Sequence, residues 1–324
     1  MILAIETSCD ETCAAVATPD GTLRSSIVAS QAAEHVAYGG VVPEIASRRH
    51  LELIHPTVQA ALLEADCTSA DVTRVAVSAG PGLIGALLVG VSYAKGFAYR
   101  CGVPLVAVDH LRGHVASLRL AEQPPVGAHL VLLASGGHTL LIDVADDGAL
   151  TTIARSMDDA AGEAFDKGAR LLGLGYPGGP ELAALAADGS ASRHSFTTPL
   201  AGRHDLAFSF SGLKTALSMA VAANAAPRAD LAAAYQEAIV EHLLERARLG
   251  LQASGRTTLG LVGGVAANAR LRDRLNDLPA TVVAAPLAWC GDNAAMIAAA
   301  AVGARPLSPT ELLALDAHAR SPLG

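Results

Sequence analysis

Short apolar runs and longer amphipathic stretches follow one another along the chain, a pattern typical of strands alternating with helices. Apolar runs at residues 2–6 and 13–17 flank a polar turn at residues 7–11, and a third strand-like run ends at Val28. The same succession of runs and turns returns over residues 130–153. The pattern therefore predicts that the two halves of the chain are copies of one unit.

The correspondence continues beyond these strands. In the first half, a helical pattern over residues 43–64 leads to a buried-strand run at residues 72–78, a helix from Leu83 and a strand at residues 104–108. Asp230 is the expected N-cap of the long helix in the second half. The matching elements there are a helix over residues 231–252, a strand at 257–262, a helix over 268–276, a strand at 280–285 and a helix over 293–302.

The duplication predicts the fold class, an α/β fold of two related domains. We expect an N-terminal lobe of residues 1–124 and a C-terminal lobe of residues 125–324, joined by a proline-containing linker at residues 122–128. Ligands of open α/β sheets bind beyond the carboxyl ends of the strands. The expected binding site is therefore a cleft between the two lobes.

Composition narrows the class of protein. The 324 residues are 51% hydrophobic and only 3% aromatic, which suits helices packed closely on sheets. The apolar runs are shorter than the ~18 residues of a membrane span, and the N-terminus lacks the basic start of a signal peptide. Five scattered cysteines without CxxC spacing favour reduced thiols. We expect a cytoplasmic protein with no membrane partner.

The formal net charge of −8 argues against a protein that grips nucleic acid with its whole surface. Any RNA contact would need a local basic patch or a partner. Two candidates are residues 48–50 and the group Arg270, Arg272 and Arg274. Ordinary solvated helix faces are the alternative for both.

His110, His114 and Asp292 form the strongest candidate site, a metal centre. Histidines at i and i+4 share one helix face, so their ring nitrogens can meet a single ion. A carboxylate completes a set of two nitrogens and one oxygen with open positions for substrate, which suits Fe²⁺ or Zn²⁺. Each group follows the last strand of its half, so we expect one ion to draw ligands from both lobes.

Glycine loops at strand-to-helix junctions form the second candidate site. Glycine lets the backbone turn sharply and bring N–H groups close to an anion. The chain has no GxxxxGK[ST] sequence, so a P-loop is excluded. The arrangement resembles the actin, Hsp70 and sugar-kinase (ASKHA) superfamily, in which two related domains clamp phosphates. The loops lie at residues 80–85, 135–139, 178–179 and 263–264.

An acidic segment at residues 156–174 reads as a helix with Asp158, Asp159, Glu163 and Asp166 partly on one side. Simple solvent exposure of these acids is the alternative.

Two polar residues elsewhere also have two interpretations. Asn268 is either a helix N-cap or an amide that reaches a ligand. Lys214 either balances phosphate charge or is a solvated lysine.

Taken together, ten ordered motifs closely resemble the bacterial tRNA N6-adenosine threonylcarbamoyltransferase (TsaD) family. The resemblance extends from Ile2 to about Ala304. The motifs are IETSCDET (5–12), GGVVPEIASRRH (39–50), AGPGLIGALLVG (79–90), HLRGH (110–114), SGGHT (135–139), DDAAGEAFDK (158–167), YPGGPE (176–181), FSFSGLKT (208–215), GGVAAN (263–268) and DNAAMIA (292–298).

The resemblance implies an actin-like two-domain fold and a metal-dependent acyltransferase. Threonylcarbamoyl would pass from threonylcarbamoyl-adenylate to the exocyclic amine of the adenosine next to the anticodon, in tRNAs reading codons that begin with A, with release of AMP. It also implies a TsaB-like paralogue and a TsaE-like ATPase as partners, and Fe²⁺ as the usual ion, with Zn²⁺ as the alternative.

By motif, the metal ligands would be His110, His114 and Asp292. The motifs leave the general base open, with Glu11 or an acid of residues 158–166, such as Asp166, as the candidates. The ion would polarise the donor carbonyl or bind its phosphate, while backbone N–H groups of residues 135–137 hold the anion. The substrate contacts would be Leu133, Ala134, Ser135, Gly136, Gly137, Asp166, Gly179 and Asn268.

The chain departs from the family pattern without losing a proposed ligand. Arg112 stands between the two histidines where an acid is common, so the local charge near the ion differs from the family pattern. Arg49 and Ala207 each stand where aspartate is usual, and Ala266 replaces a frequent serine.

Three rival functions are weaker. A zincin metalloprotease needs glutamate directly after the first histidine, and Leu111 occupies that place. An actin-like kinase or ATPase would use an early carboxylate, for which Glu6, Asp10 and Glu11 are available, but the histidine pair is not typical of that class. A scaffold that only binds nucleotide would not need intact metal ligands.

Overall fold

The described residues form two five-stranded sheets and a set of helices. The computed structural model describes residues 1–203 and 205–324. These residues form two compact units, Met1–Leu120 with Asp292–Pro322, and Ala121–Gly291 with Leu323–Gly324. The C-terminal stretch that begins at Asp292 therefore belongs with the N-terminal half. The domain boundaries expected from the sequence, residues 1–124 and 125–324, remain a prediction.

The sheet of the first unit has the order β3-β2-β1-β4-β5. Its first three strands are antiparallel neighbours, whereas β4 pairs with the central strand β1 in parallel and β5 pairs with β4 in parallel. Buried aliphatic side chains of the sheet and its helices form the core of this unit. The strands are β1 Ile2–Glu6, β2 Glu11–Ala17, β3 Leu23–Ser30, β4 Arg74–Gly80 and β5 Leu105–Asp109.

The sheet of the second unit repeats this topology, with the order β10-β9-β6-β7-β8. Here β6, β7 and β8 are antiparallel, β9 pairs with β6 in parallel, and β10 pairs with β9 in parallel. The predicted duplication of the α/β unit is confirmed. The strands are β6 His129–Ala134, β7 Thr139–Val144, β8 Leu150–Arg155, β9 Thr258–Val262 and β10 Thr281–Ala284.

Helices of both units follow the strands. Those of the first unit are α1 Ala32–His35, α2 Pro43–Glu64, α3 Ile84–Cys101, α4 His110–Ala116, α10 Ala294–Ala301 and α11 Pro309–Ala314. Those of the second unit are α5 Ala161–Leu171, α6 Gly178–Ala187, α7 Ser211–Ala222, α8 Arg228–Ser254 and α9 Ala269–Arg274. Within the described residues, none of these helices combines the length and the apolar character that a bilayer crossing requires.

The prediction that Asp230 caps the long helix is wrong. Helix α8 begins at Arg228 after Pro227, so Asp230 lies inside its first turn. The Asp230 carboxylate accepts a hydrogen bond from the Ser190 backbone N–H at 2.7 Å and pairs with Arg193 at 3.4 Å. The side chain that the local pattern assigned to the cap therefore bonds to residues distant in the sequence instead.

Candidate metal centre and adenylate site

Helix α4 carries both histidines of the candidate metal centre. It begins at His110 directly after β5, and the Asp109 side chain caps it by accepting from the backbone N–H groups of Leu111 and Arg112. The helix has only seven residues, so its stability depends on this cap and on packing. His110 and His114 are both buried.

The third candidate ligand, Asp292, precedes helix α10, whose first turn is capped by the Asn293 side chain. Helices α4 and α10 approach closely because Gly113 lies at their contact. A Cβ added at Gly113 would lie 2.9 Å from Ile297 Cδ1. The glycine of the HLRGH motif thus lets the carboxylate reach the two imidazoles.

The three side chains converge on one point. Asp292 Oδ1 lies 3.5 Å from His110 Nε2 and 3.2 Å from His114 Nε2, and ligand atoms from all three residues lie within 4.8 Å of one another. Ligand atoms about 2.1 Å from one ion in a tetrahedral arrangement are about 3.4 Å apart. The geometry therefore fits a single transition-metal ion.

The hydrogen bonding of His114 also fits an ion. His114 is fully buried, and neither of its ring nitrogens has a hydrogen-bond partner among the described residues. Buried polar atoms are normally satisfied. A metal ion at Nε2 would satisfy this nitrogen, which lies 3.2 Å from Asp292 Oδ1.

His110 has a carboxylate on the ring nitrogen that faces away from the site, as metal-bound histidines usually have. Its Nδ1 lies 2.9 Å from Glu6 Oε2 and 3.1 Å from Ser8 Oγ. Ser78 Oγ donates to the other Glu6 oxygen at 3.0 Å. Burial lowers the pKa of His110, but the carboxylates of Asp292 and Glu6 outweigh burial and raise it to about 9. The pocket therefore stabilises positive charge.

Glu11 begins β2 in the same unit. Ser30 Oγ donates to Glu11 Oε1 at 2.8 Å, whereas Oε2 is buried without a hydrogen-bond partner among the described residues. Burial raises the pKa of Glu11 to about 7; the Ser30 hydrogen bond opposes this, and the charges of Asp10 and Asp292 add to it. A carboxylate with this pKa suits proton transfer near neutral pH.

The predicted anion loop of the second unit connects β6 to β7. Leu133 and Ala134 are fully buried at the end of β6. The Ser135 backbone N–H donates to the His138 carbonyl at 2.8 Å, and its role in holding an anion stays a prediction. Gly136 and Gly137 are exposed, and a Cβ at either would meet no atom within 4 Å. The space beside these two glycines is therefore open.

Asp166 is on α5, where it positions the start of α6. Its Oδ1 accepts from the Gly178 backbone N–H at 2.9 Å. A Cβ at Gly178 would lie 2.7 Å from the Asp166 Cα, whereas a Cβ at Gly179 would meet nothing within 4 Å. Asp166 therefore orients the first turn of α6, and Gly179 is its accessible position.

Asn268 is the N-cap of α9, as one of its two interpretations predicted. Its Oδ1 accepts from the Leu271 N–H at 2.9 Å and its Nδ2 donates to Gln236 at 2.8 Å. The loop before it packs on β6, because a Cβ at Gly263 would clash with the Ala134 carbonyl. The loops at residues 135–137 and 263–268 thus meet at the carboxyl ends of β6 and β9.

The interpretation of residues 156–174 as one helix with an acidic side is wrong. Helix α5 covers only Ala161–Leu171. Asp158 precedes it and accepts hydrogen bonds from residues 209–211, including the Phe210 N–H at 2.7 Å. Asp159 pairs with Lys167 at 2.7 Å. Asp158 fixes the start of α7, whose fourth residue, Lys214, is half-buried.

Ion pairs occupy most of the two basic stretches that were candidates for RNA contact. Arg270 and Arg274 pair with Glu237, and Arg272 donates to the carbonyl groups of Ala266 and Ala285.

In the other stretch, Arg48 pairs with Glu44 at 2.7 Å and Arg49 with Glu52 at 2.6 Å, while His50 is buried. Because these arginines are already bonded, ordinary helix faces are favoured over RNA contact in both stretches.

Sequence reasoning missed three residues that shape the metal centre: Glu6, Asp109 and Gly113. An acid at the end of β1 and an acid directly before the HLRGH motif were visible signals. Their contacts with His110 and α4 depend on strand pairing, which periodicity does not give.

Comparison with known proteins identifies the relatives of the chain. A profile of TsaD, described as tRNA N6-adenosine threonylcarbamoyltransferase, matches residues 22–299. A relative of this name from Parasynechococcus marenigrum is 49% identical over 316 residues, covering 93% of this chain and 89% of the relative. Another from Sphingopyxis alaskensis is 46% identical over 328 residues, covering 100% and 95%.

Solved structures are similar in fold. Component A of (R)-2-hydroxyglutaryl-CoA dehydratase from Acidaminococcus fermentans superposes with a TM-score of 0.59 at 14% identity, covering 94% of this chain and 96% of that one. At this identity the likeness concerns the fold alone, and it agrees with the predicted duplicated actin-like fold.

Proposed function

The chain belongs to the tRNA N6-adenosine threonylcarbamoyltransferase family, and we propose that it performs the reaction of that family with an ion held by His110, His114 and Asp292. It is a transferase that modifies tRNA. Threonylcarbamoyl passes from its adenylate to the exocyclic amine of the adenosine next to the anticodon. The observation that carries the metal role is that ligand atoms of three residues lie close together. One of the three, His114, is buried and has no hydrogen-bond partner for its ring nitrogens among the described residues.

The donor set supports a divalent transition metal. Two imidazoles and one carboxylate leave positions open for substrate, and Fe²⁺ is the first choice with Zn²⁺ as the alternative. A bound ion of this kind acts as a Lewis acid toward the donor carbonyl or its phosphate. Glu6 holds the His110 ring with Nε2 toward the site, and Asp109 and Gly113 place the helix.

We assign adenylate binding to the second unit. Among the predicted substrate contacts there, Gly136, Gly137 and Gly179 are glycines with open space around them, and glycine N–H groups at such turns bind phosphate well. Asp166 keeps α6 in place through Gly178, and Asn268 fixes the neighbouring loop. The backbone of Leu133, Ala134 and Ser135 leads directly into Gly136 and Gly137 and so positions these two glycines.

Glu11 is the proposed base. The amine nitrogen attacks the carbonyl carbon, the bond from that carbon to the phosphate oxygen breaks, and AMP leaves with the electron pair. The amine proton passes to a carboxylate whose pKa of about 7 permits both protonation states near neutral pH. The Glu11 oxygen Oε2, which lacks a hydrogen-bond partner among the described residues, is the acceptor.

Further partners follow from the family resemblance. We propose threonylcarbamoyl-adenylate and tRNA as substrates and a TsaB-like paralogue and a TsaE-like ATPase as partner proteins. The net charge of −8 and the pairing of the basic stretches support a role for a partner in holding tRNA. The cytoplasm is the proposed compartment.

The rival functions fit the site less well. In a protease of the HExxH type, the residue after the first histidine activates water, but Leu111 is fully buried here. Glu6 cannot replace such a base, since it binds Nδ1 of His110 on the side away from Asp292. ATP hydrolysis by a kinase-like site is tested as a separate outcome below.

The test compares wild type with the His110→Ala, Glu11→Gln and Asp143→Asn variants, supplied with the adenylate donor, tRNA and the partner proteins. We expect His110→Ala to lose on the order of 100-fold in transfer rate, since metal sites are sensitive even to outer-shell changes. Asp143→Asn, which removes a charge paired with Arg256, should retain the rate. Undiminished transfer by His110→Ala would refute the metal role, and donor-independent ATP turnover would favour the kinase-like rival.

A further inference from the structure

We propose that the segment of residues 317–321, called here the tail segment, is a positioning element of the metal centre. Ser321 is its positioning residue, and it acts through Asp109. The inference rests on the proposed metal site and adds to it a part of the chain that none of the family motifs includes.

A short hydrogen bond joins the tail segment to Asp109, the N-cap of helix α4. Ser321 is buried, and its hydroxyl donates to Asp109 Oδ2 at 2.6 Å. The other carboxylate oxygen, Oδ1, accepts from the backbone N–H groups of Leu111 and Arg112 at 2.9 and 3.1 Å. A hydroxyl donating to a carboxylate at this distance is a strong, charge-assisted bond. Ser321 therefore fixes the orientation in which Asp109 caps α4.

The path of the tail segment is fixed by a close crossing over β4. The His318 N–H donates to the Ala79 carbonyl at 2.9 Å, and a Cβ at Gly80 would clash with the His318 carbonyl. Gly80 is paired with Asp109 in the ladder between β4 and β5. Three extended residues span about 10 Å, enough to pass from one strand to the next. The crossing at Gly80 thus delivers Ser321 to Asp109.

The consequence reaches the histidines because α4 is short. A seven-residue helix has little stability of its own, and its N-cap is a large part of what holds it. The first turn that Asp109 caps begins with His110. Ligands must stay within about 0.5 Å of their productive positions. Loss of the Ser321 hydroxyl frees Asp109 Oδ2 and loosens the helix turn that presents His110.

The experiment measures Co²⁺ affinity and the visible d–d absorption of bound Co²⁺ in the full chain. We expect Ser321→Ala to weaken Co²⁺ binding by about 3- to 10-fold, somewhat less than the loss of a group that hydrogen-bonds a ligand directly, and to shift the absorption band. Ser321→Thr keeps the hydroxyl and should restore both. Ser25→Ala is the matched control, since the buried Ser25 hydroxyl donates to Ala61 O at 2.6 Å in the same unit.

A double-mutant cycle separates positioning from general stability. Asp109→Ala should weaken Co²⁺ binding, and adding Ser321→Ala to it should cost nothing more, because Ser321 acts through Asp109. Unchanged Co²⁺ affinity in Ser321→Ala, an equal loss in Ser25→Ala, or additive losses in the cycle would each overturn the proposal. Equal Co²⁺ binding by wild type and His114→Ala would instead refute the metal site itself, and the proposal with it.

Discussion

Glu6 is the residue whose charge most directly supports the metal ligands. The Glu6→Gln substitution keeps the size of the side chain but removes the charge that faces Nδ1 of His110 at 2.9 Å. It also replaces an acceptor of the Ser8 and Ser78 donors. We expect metal affinity to fall by roughly 10- to 100-fold, measured by competition with a chromophoric chelator.

The control for Glu6→Gln is Asp143→Asn, which removes a carboxylate paired with Arg256 in the second unit. It should leave metal affinity unchanged. Equal affinity in Glu6→Gln and wild type would show that the carboxylate does not act on the ligand.

His242 makes the stability of the second unit depend on pH. It is fully buried on α8 between Phe208 and Phe210, and its Nε2 accepts from the Ser209 N–H at 3.2 Å. Burial and the charge of Arg246 lower the pKa of His242 to about 4, although Asp158 opposes them.

The sign of this pH effect follows from proton binding. Below pH 6.5, the usual histidine pKa, the unfolded chain binds a proton that the folded chain refuses until about pH 4. Stability therefore falls as pH drops through this window, and this group contributes a loss of about 2 kcal/mol at pH 5. Urea unfolding at pH 7.5 and pH 5 should show a smaller loss in His242→Gln, which cannot titrate. An equal loss in both proteins would contradict the assignment.

At the scale of elements, the start of α5 supports the glycine loop of the proposed adenylate site. The Gly162 N–H donates to the Ser135 carbonyl at 3.1 Å, and a Cβ at Gly162 would lie 2.6 Å from that oxygen and 2.8 Å from Gly136 Cα. Because these atoms are backbone, Gly162→Ala must displace the loop. We expect a roughly tenfold weaker Kd for AMP by calorimetry, which corresponds to about 1.4 kcal/mol.

Gly96→Ala is the control for this element. Gly96 lies in the exposed face of α3, and a Cβ there would meet nothing within 4 Å. Alanine should stabilise that helix slightly without changing AMP binding. Normal AMP affinity in Gly162→Ala would mean that the loop does not bind the nucleotide.

Elements with a strong local pattern could be predicted from sequence. Helix α2 has the predicted bounds, Pro43–Glu64, because apolar periodicity and a proline at its first position act locally. The strand predicted at residues 72–78 is Arg74–Gly80, a shift set by pairing with its neighbours. Asp158 and Asp230 were misassigned because segments far along the chain take up their carboxylates.

The candidate site was predictable for a related reason. The spacing of His110 and His114 is a local signal, and family motifs identified Asp292. The hydrogen bonds from His110 to Glu6 and from Ser321 to Asp109 join residues 104 and 212 positions apart. No periodicity encodes such contacts.

For the whole molecule, the division into units changes where the ion acts. The sequence predicted ligands from two lobes, but His110, His114 and Asp292 all lie in the first unit, because Asp292–Pro322 returns to it. An ion there joins α4 to the start of α10 and closes a long loop of the chain. Metal binding should therefore stabilise this unit directly.

Hydrogen exchange with and without Zn²⁺ tests this expectation. Zn²⁺ at 100 times its Kd should stabilise the bound state by about 2.7 kcal/mol, and protection should rise in α4 and α10. Helix α8 of the second unit holds no proposed ligand, so its exchange should not change. The His114→Ala protein, which lacks one ligand, should show no gain. An equal rise of protection in α8, or a gain in His114→Ala, would show that the ion does not bind through these three residues alone.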